Sequence, residues 1–157
     1  MSTSQIFGLQ FVYSLVTYGL IARWYVAPRL AALPLSAALP PLLFLHVTRH
    51  LGLVFLVPSV TGGALPREFA APAAYGDLLA ALLALLSILA LRARWAIAVP
   101  LVWLFNVVGA LDLINALYQG NRLGVQLGAA YYIPTVAVPA LLVTHAMIFA
   151  MLITRRR

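Results

Sequence analysis

The sequence predicts an all-α integral membrane protein. It should form a bundle of five transmembrane helices within a single domain over residues 1–157, with the N-terminus outside and the C-terminus cytoplasmic. Three observations predict it: a composition too apolar for a water-soluble surface, five apolar runs of spanning length divided by helix breakers, and an unequal distribution of arginine between the two sets of loops.

Of the 157 residues, 64% are hydrophobic and 8% charged, and the mean hydropathy is +1.03. A soluble domain is nearer half apolar and a quarter charged. Three acidic residues, ten arginines and three histidines cannot cover a 17.0 kDa core with polar surface, so the remaining surface must face lipid. The net charge of +7 does not indicate nucleic acid, because the arginines stand in ones and twos at helix ends and form no stripe. With no cysteine, disulfides, thiolate nucleophiles, iron–sulfur clusters and zinc–thiolate sites are excluded. The first apolar run has no basic flank before it and no A-x-A site after it, and is read as a retained helix.

A span needs roughly 20 apolar residues to cross about 30 Å of hydrocarbon at 1.5 Å per residue. The first runs over 6–26 and is closed by Pro28, Arg29 and Pro34. The second starts at Pro40 and Pro41, covers 42–60, and ends at Thr61-Gly62-Gly63. The third follows Pro72 over 73–91, before Arg92 and Arg94. The fourth covers 95–118 and stops at Gln119-Gly120-Asn121. The fifth covers 131–153, carries Pro134 and Pro139, and runs out at the terminal arginines.

Cytoplasmic flanks accumulate arginine and lysine. Arg23, Arg29, Arg92, Arg94, Arg155, Arg156 and Arg157 fall on one side, and Arg67 and Arg122 on the other. The richer side is assigned to the cytoplasm. Aromatic residues agree, with Trp24, Tyr25 and Trp95 at the inner interface and Tyr75, Tyr118, Tyr131 and Tyr132 at the outer one. The Ala, Leu, Arg and Pro bias, with lysine absent, points to a GC-rich bacterial genome and hence to a multi-pass protein of a bacterial cytoplasmic (inner) membrane.

Charged residues inside spans cost about 2.5–3.5 kcal/mol each on the insertion scale, so each needs a partner or a purpose. The second span carries His46, Arg49 and His50, whose spacing of three and four places them on one face of an α-helix together with Leu53. The third carries Asp77. The fourth carries Asn106, Asp112 and Asn115, and the fifth Thr144 and His145. Counting along the spans puts His46 and His145 at similar depth toward the inner side, Arg49, His50 and Asn106 near the middle, and Asp112, Asn115 and Asp77 toward the outside. Arginine's long stem can reach both aspartates. One permanent positive charge then faces two carboxylates, so the cluster is expected to titrate near neutrality, through a protonated aspartic acid or a protonated histidine. The plainer expectation is that Arg–Asp pairs and Asn side chains only hold helices together, with Asn115 and Thr144 as packing or capping groups and Gly109 and Ala110 as close-packing points.

Several chemistries suit such a set. In the leading one, a pocket binds a small hydrophobic or amphipathic molecule from the membrane. His46, His50 and Asp112 would move protons, while Arg49, Asn106, Asp77, Asn115 and His145 hold the molecule. Whether the protein is an enzyme or a binder stays open, although no serine or cysteine nucleophile motif lies nearby. A b-type haem between His46 or His50 and His145 is the redox alternative. A metal held by His46 and His50 at i, i+4 is another, opposed by Arg49 on the same face and by the missing zincin glutamate. The last is proton, ion or small-solute transport by a homo-oligomer. Expected partners are membrane lipids and the amphipathic ligand, with no nucleic acid.

Overall fold

The structure, a computed structural model, describes residues 1–154. Arg155, Arg156 and Arg157, on which part of the expected orientation rests, lie outside the described residues. Every element among the described residues is helical. Five helices are long and apolar enough to cross a membrane: α1 (Thr3–Ala31), α2 (Leu35–Leu56), α3 (Arg67–Arg92), α4 (Ala98–Arg122) and α5 (Gly128–Thr154).

α1, α3 and α5 extend past both ends of the apolar runs read from the sequence, α2 starts earlier and stops at Leu56, and α4 is shifted to Ala98–Arg122; prolines explain much of the difference. Pro40 and Pro41 lie in the second turn of α2, not at its start. Proline lacks the N–H that would bond four residues back but already holds a helical φ, so it is tolerated better near a helix start than in mid-helix. Pro28 does not close α1. Upstream of it the helix widens into a π-helical turn, Ala22–Val26, in which the Ala27 N–H reaches back to the Ala22 carbonyl. The same device recurs in α5, where a π turn at Ile133–Ala137 carries a Val138 N–H to Ile133 carbonyl bond and Pro139 follows. In both helices the ring arrives two residues after the wide turn, which displaces the carbonyl it would strike and lets the helix continue.

The interfaces are built from small residues. On α3, Ala73, Ala74, Ala80, Ala81, Ala84 and Ser87 are buried, whereas Leu79, Leu82, Leu85, Leu86 and Leu89 are exposed. A soluble helix shows the reverse. Small side chains inside and leucines outside let backbones approach where the exterior is as apolar as the interior. α3 packs most extensively on α4 and on both halves of α2. One apolar cluster joins Leu39 and Leu43 of α2, Ile88 of α3, Phe105 of α4, and Ile148 and Leu152 of α5. A second, at the other end, joins Phe55, Phe69, Ala73, Ala74 and Ala130. In the connection to α5, Gly128 has φ 51° and lies against the backbone of Thr61, so a side chain there would be strained and would also collide.

α1 is peripheral. It is capped by a reciprocal Ser2 and Gln5 pair, leans chiefly on α5, touches a small buried cluster of α4 and α5 through Phe11, and buries Leu30 in the main core near its C-terminal end. The bundle is therefore four helices with a fifth propped along one side, leaving a space between α1, α2 and α5.

α2 also changes its pitch. It is α-helical to Val47 and 3-10 helical over Thr48–Leu56. With three residues per turn, the inward residues are Arg49, Gly52 and Phe55, all buried and three apart. The expected face of His46, Arg49, His50 and Leu53 assumed 3.6 residues per turn throughout, and it breaks at this point. His46 and Arg49 point inward, but His50 is exposed and Leu53 only partly buried.

A candidate binding site built on a buried arginine

Arg49 is the hub of the polar interior. Its Nε donates to Asp77 Oδ1 at 2.7 Å and its Nη2 to Asp112 Oδ2 at 2.6 Å. Its Nη1 donates to the Gly109 carbonyl at 3.0 Å and lies 3.4 Å from His145 Nε2. One side chain of α2 thereby ties together α3, α4 and α5. Of the five N–H donors of a guanidinium, four are engaged within the protein.

The Arg49 contact sets the histidine tautomer. Arginine can only donate, so His145 Nε2 accepts and the ring proton sits on Nδ1, which donates to Asn106 Oδ1 at 2.7 Å. The amide of Asn106 then donates from Nδ2 to the His145 carbonyl at 3.2 Å, so both ends of the side chain are used on one residue. His145 is thus held in its neutral form by a closed set of bonds.

His46 packs on this arrangement with its ring centroid 4.2 Å from that of His145 and 4.9 Å from that of Phe105. Its Nε2 is 2.9 Å from the Thr144 hydroxyl, and its Nδ1 is buried without a hydrogen-bond partner. The expected meeting of His46 and His145 is present. The two rings are tilted by 49° at that short separation, though, and both nitrogens of His145 are taken by Arg49 and Asn106. A bis-histidine haem needs a porphyrin between two rings that each aim a free nitrogen at the iron. This donor set does not fit one.

The remaining sequence expectations divide cleanly. Asp77, Asn106, Asp112 and His145 join Arg49 and His46. His50 does not: it faces outward and keeps its Nδ1 on the Val47 carbonyl, 2.9 Å away, because the 3-10 pitch turns position 50 off the buried face. This also removes the i, i+4 metal pair, and no group of three or more metal-ligating side chains occurs among the described residues. Asn115 is exposed on α4, three residues past Asp112 and off the buried face marked by Asn106, Gly109 and Leu113. Thr144, expected to be a packing or capping group, bonds back to the Ala140 and Leu141 carbonyls of its own helix and also touches His46.

Sequence reasoning named Gly109 as a close-packing point but missed Gly52 and Gly76. A Cβ on Gly52 would strike the Asp77 carboxylate, one on Gly76 the Asp112 carboxylate, and one on Gly109 would lie 2.9 Å from both Arg49 Nη1 and His145 Cε1. Three helices each give up a side chain to seat the ion pairs. The signal was available in the spacing: Gly52 follows Arg49 by three residues, Gly109 precedes Asp112 by three, and Gly76 adjoins Asp77.

A cavity of about 540 Å³ fills the space between α1, α2 and α5. Its walls are largely apolar, including Ile21, Leu42, Ala137, Ala140 and Leu141, and polar groups enter at Tyr18, Thr48, Thr144, Arg49 and Asp77. Exposed Ile21 and Leu51 flank it between α1 and α2, which pack only loosely on each other. Side-chain exposure is 1% for Arg49 and 11% for Asp77, so the carboxylate is the more accessible member of the pair.

Fold and site together define a class: an all-helical chain with five helices of spanning length, small-residue interfaces, and a buried Arg–Asp–Asp cluster beside an apolar cavity. Within that class, the chain belongs to the family described as a domain of unknown function (DUF8737), whose model matches residues 6–153. That range covers all but the outermost residues of the bundle and every residue of the cluster. No curated protein and no solved structure matches the chain.

Proposed function

We propose that this is a multi-pass protein of a bacterial cytoplasmic membrane, with the N-terminus outside and the C-terminus in the cytoplasm, that binds a small hydrophobic or amphipathic molecule in the cavity between α1, α2 and α5. The single observation that carries this reading is the cavity itself. It is of ligand size, its walls are apolar, and a few polar groups converge on one part of it. Its position beneath a loosely propped helix lets a molecule enter sideways from lipid. The arginine imbalance supports the orientation, and the alanine-lined interfaces with outward leucines support the membrane setting.

The test compares organic extracts of purified wild-type protein and an Ala140→Trp variant by mass spectrometry. Ala140 lines the cavity, and an indole there fills it. A molecule retained by the wild type and lost from the variant is the expected result. Extracts that are identical apart from bulk lipid would overturn the reading.

One observation favours acid–base work or proton movement as a second reading. Thr144 lines the cavity and bonds to His46, whose other nitrogen is unpartnered, so a hydroxyl links the cavity to an imidazole. Proton flux into liposomes carrying the protein, lost in His46→Leu, is the result this reading requires.

A further inference from the structure

We infer that the ligand of this cavity is a cationic amphiphile: a single apolar chain or ring system bearing an amine that is protonated at neutral pH. This deepens the cavity-binding reading and rests on it. Three observations lead to it.

The first is the charge count. Two of the protein's three acidic residues, Asp77 and Asp112, share the one guanidinium of Arg49. His145 adds no charge, because its Nε2 accepts from Arg49. With both carboxylates ionised, the cluster is one positive charge short, and in a low-dielectric interior an uncompensated charge is costly.

The second is which atoms the cavity meets. Arginine is the residue that would ordinarily recruit an anionic head, but Arg49 is committed to four bonds and its side chain is almost wholly covered. Asn106 is committed to His145 at both ends. Asp77 lines the cavity and gives only Oδ1 to Arg49. Its Oδ2 lies beside Gly52, which also lines the cavity and has no side chain to cover it.

The third is the rest of the lining. Tyr18, Thr48 and Thr144 add hydroxyls, and the other lining groups are apolar, so nothing beside Arg49 offers a positive charge to an anion. An ammonium group placed at Asp77 would supply the missing charge and hydrogen-bond to the carboxylate, while its hydrocarbon lies against Leu42 and Leu141.

The experiment measures saturable binding of dodecylammonium, dodecanol and dodecanoate to the full-length protein in non-ionic detergent at neutral pH. Uptake by the Ala140→Trp variant is subtracted as micelle partitioning. The expected result is preference for dodecylammonium over dodecanoate by about tenfold or more. Because the charge belongs to the cluster, either Asp77→Asn or Asp112→Asn should collapse that preference. Each keeps the carbonyl oxygen that can accept from Arg49, and either variant suffices if the other does not fold. Dodecanoate binding as tightly as dodecylammonium, or a preference that survives neutralisation, would overturn the inference while leaving the cavity reading intact. If none of the three probes binds saturably, the cavity reading falls and the inference falls with it.

Discussion

A methyl group on Gly52 would occupy the space that the Asp77 carboxylate fills. The two residues belong to different helices. Their fit depends on α2 having tightened to 3-10 pitch, so that Gly52 follows Arg49 directly on the inward face while Arg49 itself grips the same carboxylate. Backbone pitch, a missing side chain and an ion pair form one unit.

Gly52→Ala is therefore expected to destabilise the protein by about 1–3 kcal/mol or more, the usual cost of overpacking. The clash involves Asp77 Cβ at 2.7 Å as well as the carboxylate tip, so it cannot be relieved by rotating a flexible end. Gly8→Ala and Gly19→Ala on α1 meet no atom within 4 Å and should be neutral or stabilising, by up to about 1 kcal/mol from helix propensity. Thermal unfolding of the three variants in one detergent checks the contrast; equal effects would contradict it.

Arg49→Met leaves two carboxylates inside the bundle without their cation. Breaking a buried pair in this way typically costs about 3–5 kcal/mol. Arg49→Lys should also fail substantially, because one ammonium cannot reproduce a planar fork aimed at Asp77, Asp112 and the Gly109 carbonyl together. Adding Asp77→Asn and Asp112→Asn to Arg49→Met removes the uncompensated charge and should recover much of the loss. Yield of monodisperse protein and melting temperature report both effects.

His46 separates function from packing. Its Nδ1 has no partner and its Nε2 has only Thr144. Replacing both members of a buried polar pair by apolar groups is often neutral or stabilising. His46→Leu with Thr144→Val should therefore leave the melting temperature unchanged or raised. By contrast Asn106→Leu, which strips His145 Nδ1 of its acceptor, should cost about 1–3 kcal/mol. If the double variant melts well below the wild type, His46 is structural.

The absence of cysteine makes the proposed topology directly measurable. A single cysteine at exposed Gly63, between α2 and α3, should react with a membrane-impermeant thiol reagent added to intact cells. One at exposed Trp95, between α3 and α4, should react only after the membrane is opened. The reverse pattern would invert the orientation drawn from the arginine count.

The five helices were legible in the sequence because lipid imposes a length of apolar chain that no soluble element needs, and because prolines, glycines and arginines punctuate it. Most of the cluster was legible for the same reason, since ionisable groups such as Arg49, Asp77 and Asp112 stand out against an apolar span. Their boundaries were less legible. Pro28, Pro40 and Pro41 read as punctuation, whereas two lie in an early helical turn and the other is absorbed by a π turn.

What the sequence determined by itself was therefore composition-driven: how many helices are long and apolar enough to span a membrane, and which residues interrupt their apolar pattern. Tertiary structure decided which of those residues meet. It turned His50 away from His46, since a change from 3.6 to three residues per turn leaves no mark in residue types. It paired Asp77 and Asp112 with the same guanidinium and spent Asn106 on His145. It also opened the cavity beside α1 and left a carboxylate as the accessible charge there. Helix pitch and the seating of one side chain against the glycine of another helix depend on packing between segments far apart in the chain, and a pattern read along one segment does not contain them.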